Sequence, residues 1–238
     1  QEAMEGQEYL PDHMLLEHVE YFVSHPVPAA WGCLCIGEPP EDLFKNNICL
    51  IFPENTDRTS LYHDVQKIFF LYNSWEMEIR KAMQRNATLE EMCNLCIPIF
   101  EKPIFIHDRN NELLAIANEM AGQFSWQYDE TFDKSYLPLE ILNTFKSSDE
   151  YHKTLHTYGA HVFSAKATGY RTLYVNLRIE WVYVGRVCLD EIGTPIRKRD
   201  YELLEFFADN IALAMQQGML LVSDVSNVLS ILFKEMID

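Results

Sequence analysis

Pro103-Ile-Phe-Ile-His-Asp108, Arg109-Asn-Asn111 and Glu112-Leu-Leu-Ala-Ile-Ala117 read in succession as a strand, a tight turn and a returning strand. The asparagine pair can supply the positive φ values that such a turn needs. Downstream, residues 118–158 read as loops and short helices, clearest at 137–145. Three further strands follow at 161–166, 171–178 and 182–191. Thr168-Gly169 separates the first two, and Glu180 stands at the second turn. Upstream, Leu61, Val65, Ile68, Phe69, Tyr72, Trp75, Ile79 and Met83 recur at spacings of three and four. That period predicts a long amphipathic helix facing something substantial, with Thr59 or Ser60 as its N-cap. Thr88 and Glu91 form a capping box for a second helix running to about Phe100.

After the last strand, Tyr201, Leu204, Phe207, Ala208, Ile211 and Met215 mark a helix over 197–217. Gly218 is expected to interrupt or kink it. Leu221, Val225, Val228 and Leu232 then form a short heptad-like seam suited to a partner or dimer helix. At the other end, apolar runs at 19–23, 31–36 and Ile48–Phe52 are separated by Gly37-Glu-Pro-Pro40 and Pro53-Glu-Asn-Thr56. Ile48-Cys-Leu-Ile-Phe52 is nearly continuous in apolar residues, which predicts a strand buried on both faces. The expected organisation is a small α/β N-terminal segment over 1–58, connecting helices over 59–100, a domain over 101–217 and a terminal linker or dimer helix over 218–238. Helices segregated against one antiparallel sheet put the main domain in the α+β class.

Composition sets further bounds. The 238 residues, 48% of them hydrophobic, can bury a sizeable core. Nineteen basic against 36 acidic residues give a formal charge of −17. Such a surface repels nucleic-acid phosphates and anionic lipid, so DNA would be reached only through a segment outside this chain. No stretch is apolar over the roughly 18 residues of a membrane helix, and the first nine residues do not read as a signal peptide. The chain lacks an initiator Met and reads as a trimmed or excised piece, with the cytoplasm as the expected compartment. The six cysteines sit inside apolar segments and do not punctuate loops as a disulfide framework would.

A strand hairpin, helices and then three consecutive antiparallel strands resemble the GAF/PAS pattern. The combination Leu61-Tyr-His-Asp-Val-Gln-Lys-Ile-Phe69, Trp75-Glu76, Lys102-Pro103-Ile-Phe-Ile-His-Asp108 and Leu113-Leu-Ala-Ile-Ala117 is also similar to regulators of the PucR-like (purine-catabolism regulator) type. Lys102 stands where those proteins usually carry Asn. The resemblance spans about residues 45–217. It implies a bacterial transcription regulator whose GAF-like domain senses a small molecule and whose helix-turn-helix lies beyond Asp238.

Motifs for chemistry are sparse. Cys93-Asn-Leu-Cys96 could be a redox pair or half a zinc site, but on a helix both residues extend the apolar face. His152 and His156 would share a helix face, which makes a metal or a polar pocket conceivable, although the Glu of a His-Glu-x-x-His motif is absent. His107-Asp108 lacks the nucleophile and oxyanion hole of a catalytic triad, and Asp108 reads as a turn cap. There is no glycine-rich nucleotide loop. The insert is dense in aromatics, and their apolar bodies with polar tips suit a small-molecule pocket. The residues expected to border it are Trp126, Tyr136, Tyr151, His161, Tyr170, Arg171 and Tyr174, with Arg171 placed to pair an anionic ligand.

The expected function is a ligand-sensing and homodimerising module with no enzymatic activity, no cofactor and no metal. A small-molecule effector is the expected direct partner. The competing expectations are a GAF-fold thiol-dependent oxidoreductase and a ligand-free structural dimerisation domain.

Overall fold

The computed structural model describes residues 14–25, 27 and 32–235. The chain divides into two compact units, Gln1–Asn73 and Ser74–Asp238.

The first unit holds three short parallel strands in the order β1 (Met14–His18), β2 (Gly32–Ile36), β3 (Ile48–Phe52). Helices α1 (Val19–Ser24) and α2 (Glu41–Asn46) connect them, as parallel strands require a crossover. Leu15, Phe22, Cys33, Cys35 and Leu43 make the core of this unit. The expectation of a doubly buried strand at Ile48–Phe52 fails. β3 is an edge strand, with Ile48 79%, Leu50 55% and Ile51 50% exposed. An apolar run reports affinity for a nonpolar surface, and cannot report whether the fold supplies one on both sides.

Helix α3 (Arg58–Gln84) begins ahead of both expected caps, Thr59 and Ser60. The Asp57 side chain accepts from the Ser60 backbone N–H at 2.7 Å, so Asp57 takes the capping role assigned to Thr59 or Ser60. Only the last part of the apolar stripe is buried. Trp75, Ile79 and Ala82 lie inside the second unit, where Trp75 meets Phe100 edge-on at 6.2 Å and Phe206 at 5.3 Å. Ile68 and Phe69 remain exposed.

The capping box is present: Thr88 accepts from Glu91, and Glu91 accepts from the Thr88 N–H, opening α4 (Leu89–Asn94). The single helix expected to Phe100 is broken into α4 and α5 (Ile97–Phe100). Pro98, in the first turn of α5, has no N–H to return to an α4 carbonyl. Glu101, at φ 56°, closes α5 in the left-handed region.

The second unit is built on a five-stranded antiparallel sheet. Its strands are β4 (Ile104–Asp108), β5 (Leu113–Ala117), β8 (Ala160–Phe163), β9 (Thr172–Ile179) and β10 (Val182–Asp190), in the order β5-β4-β10-β9-β8. Hairpin, helical insert and three strands follow one another as expected, and the fold is α+β and GAF/PAS-like. The insert also contains a two-stranded hairpin, β6 (Gln127–Asp129) with β7 (Lys134–Tyr136), in a stretch expected to hold loops and short helices. Helices α6 (Leu139–Lys146) and α7 (Asp149–Thr154) follow it.

Period two gives this sheet two buried faces. Val175 and Leu177 face Ala208 and Ala212 of α8 (Lys198–Glu235). Leu204, Phe207 and Ile211 of α8 are fully buried, each worth about 2 kcal/mol relative to exposure. Phe105, Tyr174 and Cys188 belong to the opposite face and pack with Leu137, Phe145 and Phe163. Register enforces this grouping, because Cys188 pairs with both Phe105 and Tyr174.

Lys102, the departure from the PucR-like pattern, is fully buried. It donates to Asp200 at 3.0 Å and to the Phe100 carbonyl at 3.1 Å. Asp200 also accepts from the Arg197 N–H at 2.9 Å, tying the first turn of α8 to the start of β4. α8 continues through Gly218 without the expected break. The seam side chains Leu221, Val225, Val228 and Leu232 lie outside the described residues. Among the described residues no helix is long and apolar enough to cross a membrane.

Candidate functional site

The insert-facing side of the sheet carries a small cavity of about 30 Å³. β4 contributes Phe105 and His107, β9 contributes Thr172 and Tyr174, and β10 contributes Arg186 and Cys188. Each pair is two residues apart, so the strands present them on one face. Phe124, Leu137, Phe145 and Tyr151 close the cavity from the insert, with Phe163 and Thr168 at its β8 end. Phe145 and Tyr151 stack face to face at 4.6 Å, and Phe163 meets Phe145 edge-on at 5.3 Å.

A bulge aims the polar end. Tyr183 pairs with Arg178 and Gly185 with Leu177, so Val184 is the extra residue of β10. Gly185 is required there, since a Cβ would come within 2.4 Å of the His107 carbonyl oxygen. The next residue, Arg186, is 4% exposed and lies opposite both His107 and Asn176. Its guanidinium carbon is 4.4 Å from the Tyr174 ring centre and 5.5 Å from that of Tyr151. Nε donates to Asn176 Oδ1 at 2.9 Å, and Nη2 donates to Thr154 Oγ1 at 2.9 Å. Asn176 Nδ2 in turn donates to the Thr154 carbonyl at 2.6 Å, which ties the end of α7 to the sheet.

His107 is buried beside this cation. Its Nδ1 lies 2.8 Å from the Asp108 carbonyl oxygen and is placed to donate to it. Burial and then the Arg186 charge push its pKa down to about 4, so the ring is neutral at pH 7. Asp190, at the end of β10, is pushed up to about 6 by burial, against hydrogen bonds from Thr172, Gln123 and Tyr170. Asp190 does not line the cavity, and with His107 neutral, Arg186 is the one charged side chain at neutral pH among the described residues that line it.

The structure brings some of the expected pocket residues together and disperses others. Tyr151 and Tyr174 line the cavity. Trp126 packs edge-on against Phe105 at 5.3 Å in the same cluster, and its buried Nε1 has no hydrogen-bond partner among the described residues. The Tyr170 hydroxyl accepts from the Phe124 N–H at 3.4 Å just outside. Tyr136 lies in β7 and borders a separate surface hollow with Tyr128. His161 is exposed, with Nε2 3.0 Å from the Tyr158 carbonyl oxygen. Arg171 is exposed and forms a two-pronged ion pair with Glu191, so its guanidinium is already occupied. Sequence reasoning passed over Arg186. Its signal was a lone cation within the apolar strand Val182-Tyr-Val-Gly-Arg-Val-Cys-Leu189.

The remaining candidates sort by geometry. Burial raises the pKa of all six thiols, with Cys93 pushed up to about 12, opposite to the shift of a nucleophilic cysteine. α7 ends at Thr154, so His156 falls beyond it and does not share a helix face with His152. Among the described residues no three His, Cys, Asp or Glu side chains converge as a metal site. Asp108 caps the β4–β5 turn, its Oδ1 accepting from the N–H groups of Asn110 and Glu112 at 2.8 Å each.

No protein-family model matches the chain, and no curated protein matches it. Several solved structures similar to it are GAF domains. One is the cofactor-binding GAF domain of the nutrient sensor CodY from Clostridium difficile, at TM-score 0.43 and 12% identity over 59% of this chain and 94% of that one. Another is the phycoerythrobilin-bound GAF domain of a cyanobacterial phytochrome, at TM-score 0.46 and 10% identity over 62% and 96%. A third is the GAF domain of a putative sensor histidine kinase from Pseudomonas syringae pv. tomato, at TM-score 0.43 and 13% identity over 70% and 99%.

Proposed function

We infer that the second unit is a small-molecule sensor and that the chain is the non-catalytic regulatory part of a bacterial transcription regulator. One observation carries the sensor reading. An aromatic cavity with a single buried cation lies between the sheet and an insert joined to the rest of the unit largely through side chains. The PucR-like residues upstream, now seen as α3 to β4, support the regulator reading. In that reading DNA is contacted by a domain outside this chain, and α8 forms a homodimer helix.

At about 30 Å³ the cavity has room for roughly one water, whereas ligand sites commonly measure about 300–1,000 Å³. A ligand would therefore select a state in which α6 and α7 stand further from the sheet. Calorimetry and thermal-shift measurements on the full chain test this. Saturable stabilisation by a metabolite supports the sensor, and its loss on filling the cavity with Cys188→Phe locates the site.

The same small volume favours a second reading, a ligand-free structural unit. In that case no metabolite raises the melting temperature, while mass measured in solution still shows a dimer. Truncation after Gln217 then tells whether the terminal part of α8 holds that dimer together.

A further inference from the structure

Resting on the sensor reading, we propose that the cavity takes a small organic monocarboxylate with an apolar body, and that Arg186 receives its carboxylate. The chain has 36 acidic residues against 19 basic ones, so partners for an arginine are abundant. Several surface arginines find them: Arg80 pairs with Glu76, Arg171 with Glu191 and Arg197 with Glu101. Arg186 is buried, and among the described residues no carboxylate forms an ion pair with it. An unpaired buried cation is costly, and a ligand anion relieves that cost.

The guanidinium is also held ready. Asn176 and Thr154 occupy one N–H each on Nε and Nη2, and the Tyr174 and Tyr151 rings lie beside it. Five N–H donors less these two leave three, including both on Nη1, for a carboxylate oxygen pair. Fixed in this way, the fork loses little freedom when a ligand binds.

The charge class follows from what surrounds it. His107 is neutral at pH 7, so the cavity offers a single positive charge. That matches a monoanion, while a phosphate dianion would lack a second cation. Away from Arg186 the walls are Phe105, Phe124, Phe145, Phe163 and Cys188, which suit an aliphatic or aromatic body.

The test uses the full chain and three matched panels: sodium monocarboxylates from isovalerate to phenylacetate, their primary amides, and phenyl phosphate with related monophosphates. The expected result is saturable binding of at least one apolar monocarboxylate, with its amide weaker by about 10- to 100-fold. Arg186→Gln should lose binding by a similar factor. Arg186→Lys, keeping the charge without the fork, should fall between. Binding should also raise the His107 pKa, seen by NMR, since an anion at Arg186 offsets the charge that depresses it.

Equal binding of acid and amide to the wild-type chain overturns the inference even if Arg186→Gln does not fold. Binding confined to amides or phosphates overturns it while leaving the sensor reading intact. No binding from any panel, together with no stabilisation in the wider metabolite screen, ends both.

Discussion

Three buried ionisable residues set the residue-scale expectations. Lys102 and Asp200 form an ion pair with both side chains fully buried, so each is tolerable only because of the other. Lys102→Met should cost roughly 3–5 kcal/mol in urea denaturation, since it strands the Asp200 carboxylate. Combining it with Asp200→Asn, which keeps an acceptor for the Arg197 N–H, should recover most of that loss. A loss in the double variant as large as in the single one would show that packing of the lysine stem, not charge pairing, holds the junction. Asp190 acts in the opposite sense. Its folded pKa, about 6, exceeds the ordinary 3.8 because burial disfavours the anion. The folded state thus binds more protons than the unfolded one between pH 4 and 6, and stability falls as pH rises through that window. The contribution is fully present below about pH 4 and is worth up to roughly 3 kcal/mol. Asp190→Asn should gain on the wild type as pH climbs from 4 to 7 in paired denaturation curves. A difference flat in pH would assign the titration elsewhere.

At the scale of elements, α8 is the informative case. A helix carried through glycine pays about 1 kcal/mol relative to alanine, and a Cβ at Gly218 would meet no atom within 4 Å. Gly218→Ala should therefore raise helicity by circular dichroism and stabilise α8 by about 1 kcal/mol. A kinked helix relying on glycine would instead lose stability. The break between α4 and α5 shows the contrasting situation: there Pro98 removes a backbone donor outright, and no side-chain packing can restore it.

At the scale of the molecule, charge decides what the chain can touch. With −17 formal charges it should leave duplex DNA unretarded in gel shifts even at about 50 mM salt, where nonspecific electrostatic attraction is strong. Salt-sensitive retardation by this chain alone would contradict a division of labour in which another segment reads DNA.

Local period and turn chemistry were enough to read the β4–β5 hairpin, the three later strands, the Thr88 capping box and the α+β class. Each depends on residues within a few positions of one another, and the backbone answers to them directly. The site was only half legible. Tyr151 and Tyr174 could be picked out as amphipathic aromatics, but local reading favoured Arg171 as the anion partner and passed over Arg186, a lone cation within an apolar strand. Both precede or sit within apolar strands, and period two says that neighbours alternate without saying which face meets the insert. The Val184 bulge and the pairing of Arg186 with His107 and Asn176 settle that, and Glu191 takes Arg171 out of play. Likewise, the apolar run at Ile48–Phe52 determined a strand, while only the tertiary arrangement made it an exposed edge. Sequence determined which segments form strands and helices. Register and packing, which join residues far apart in the chain, decided what each face meets.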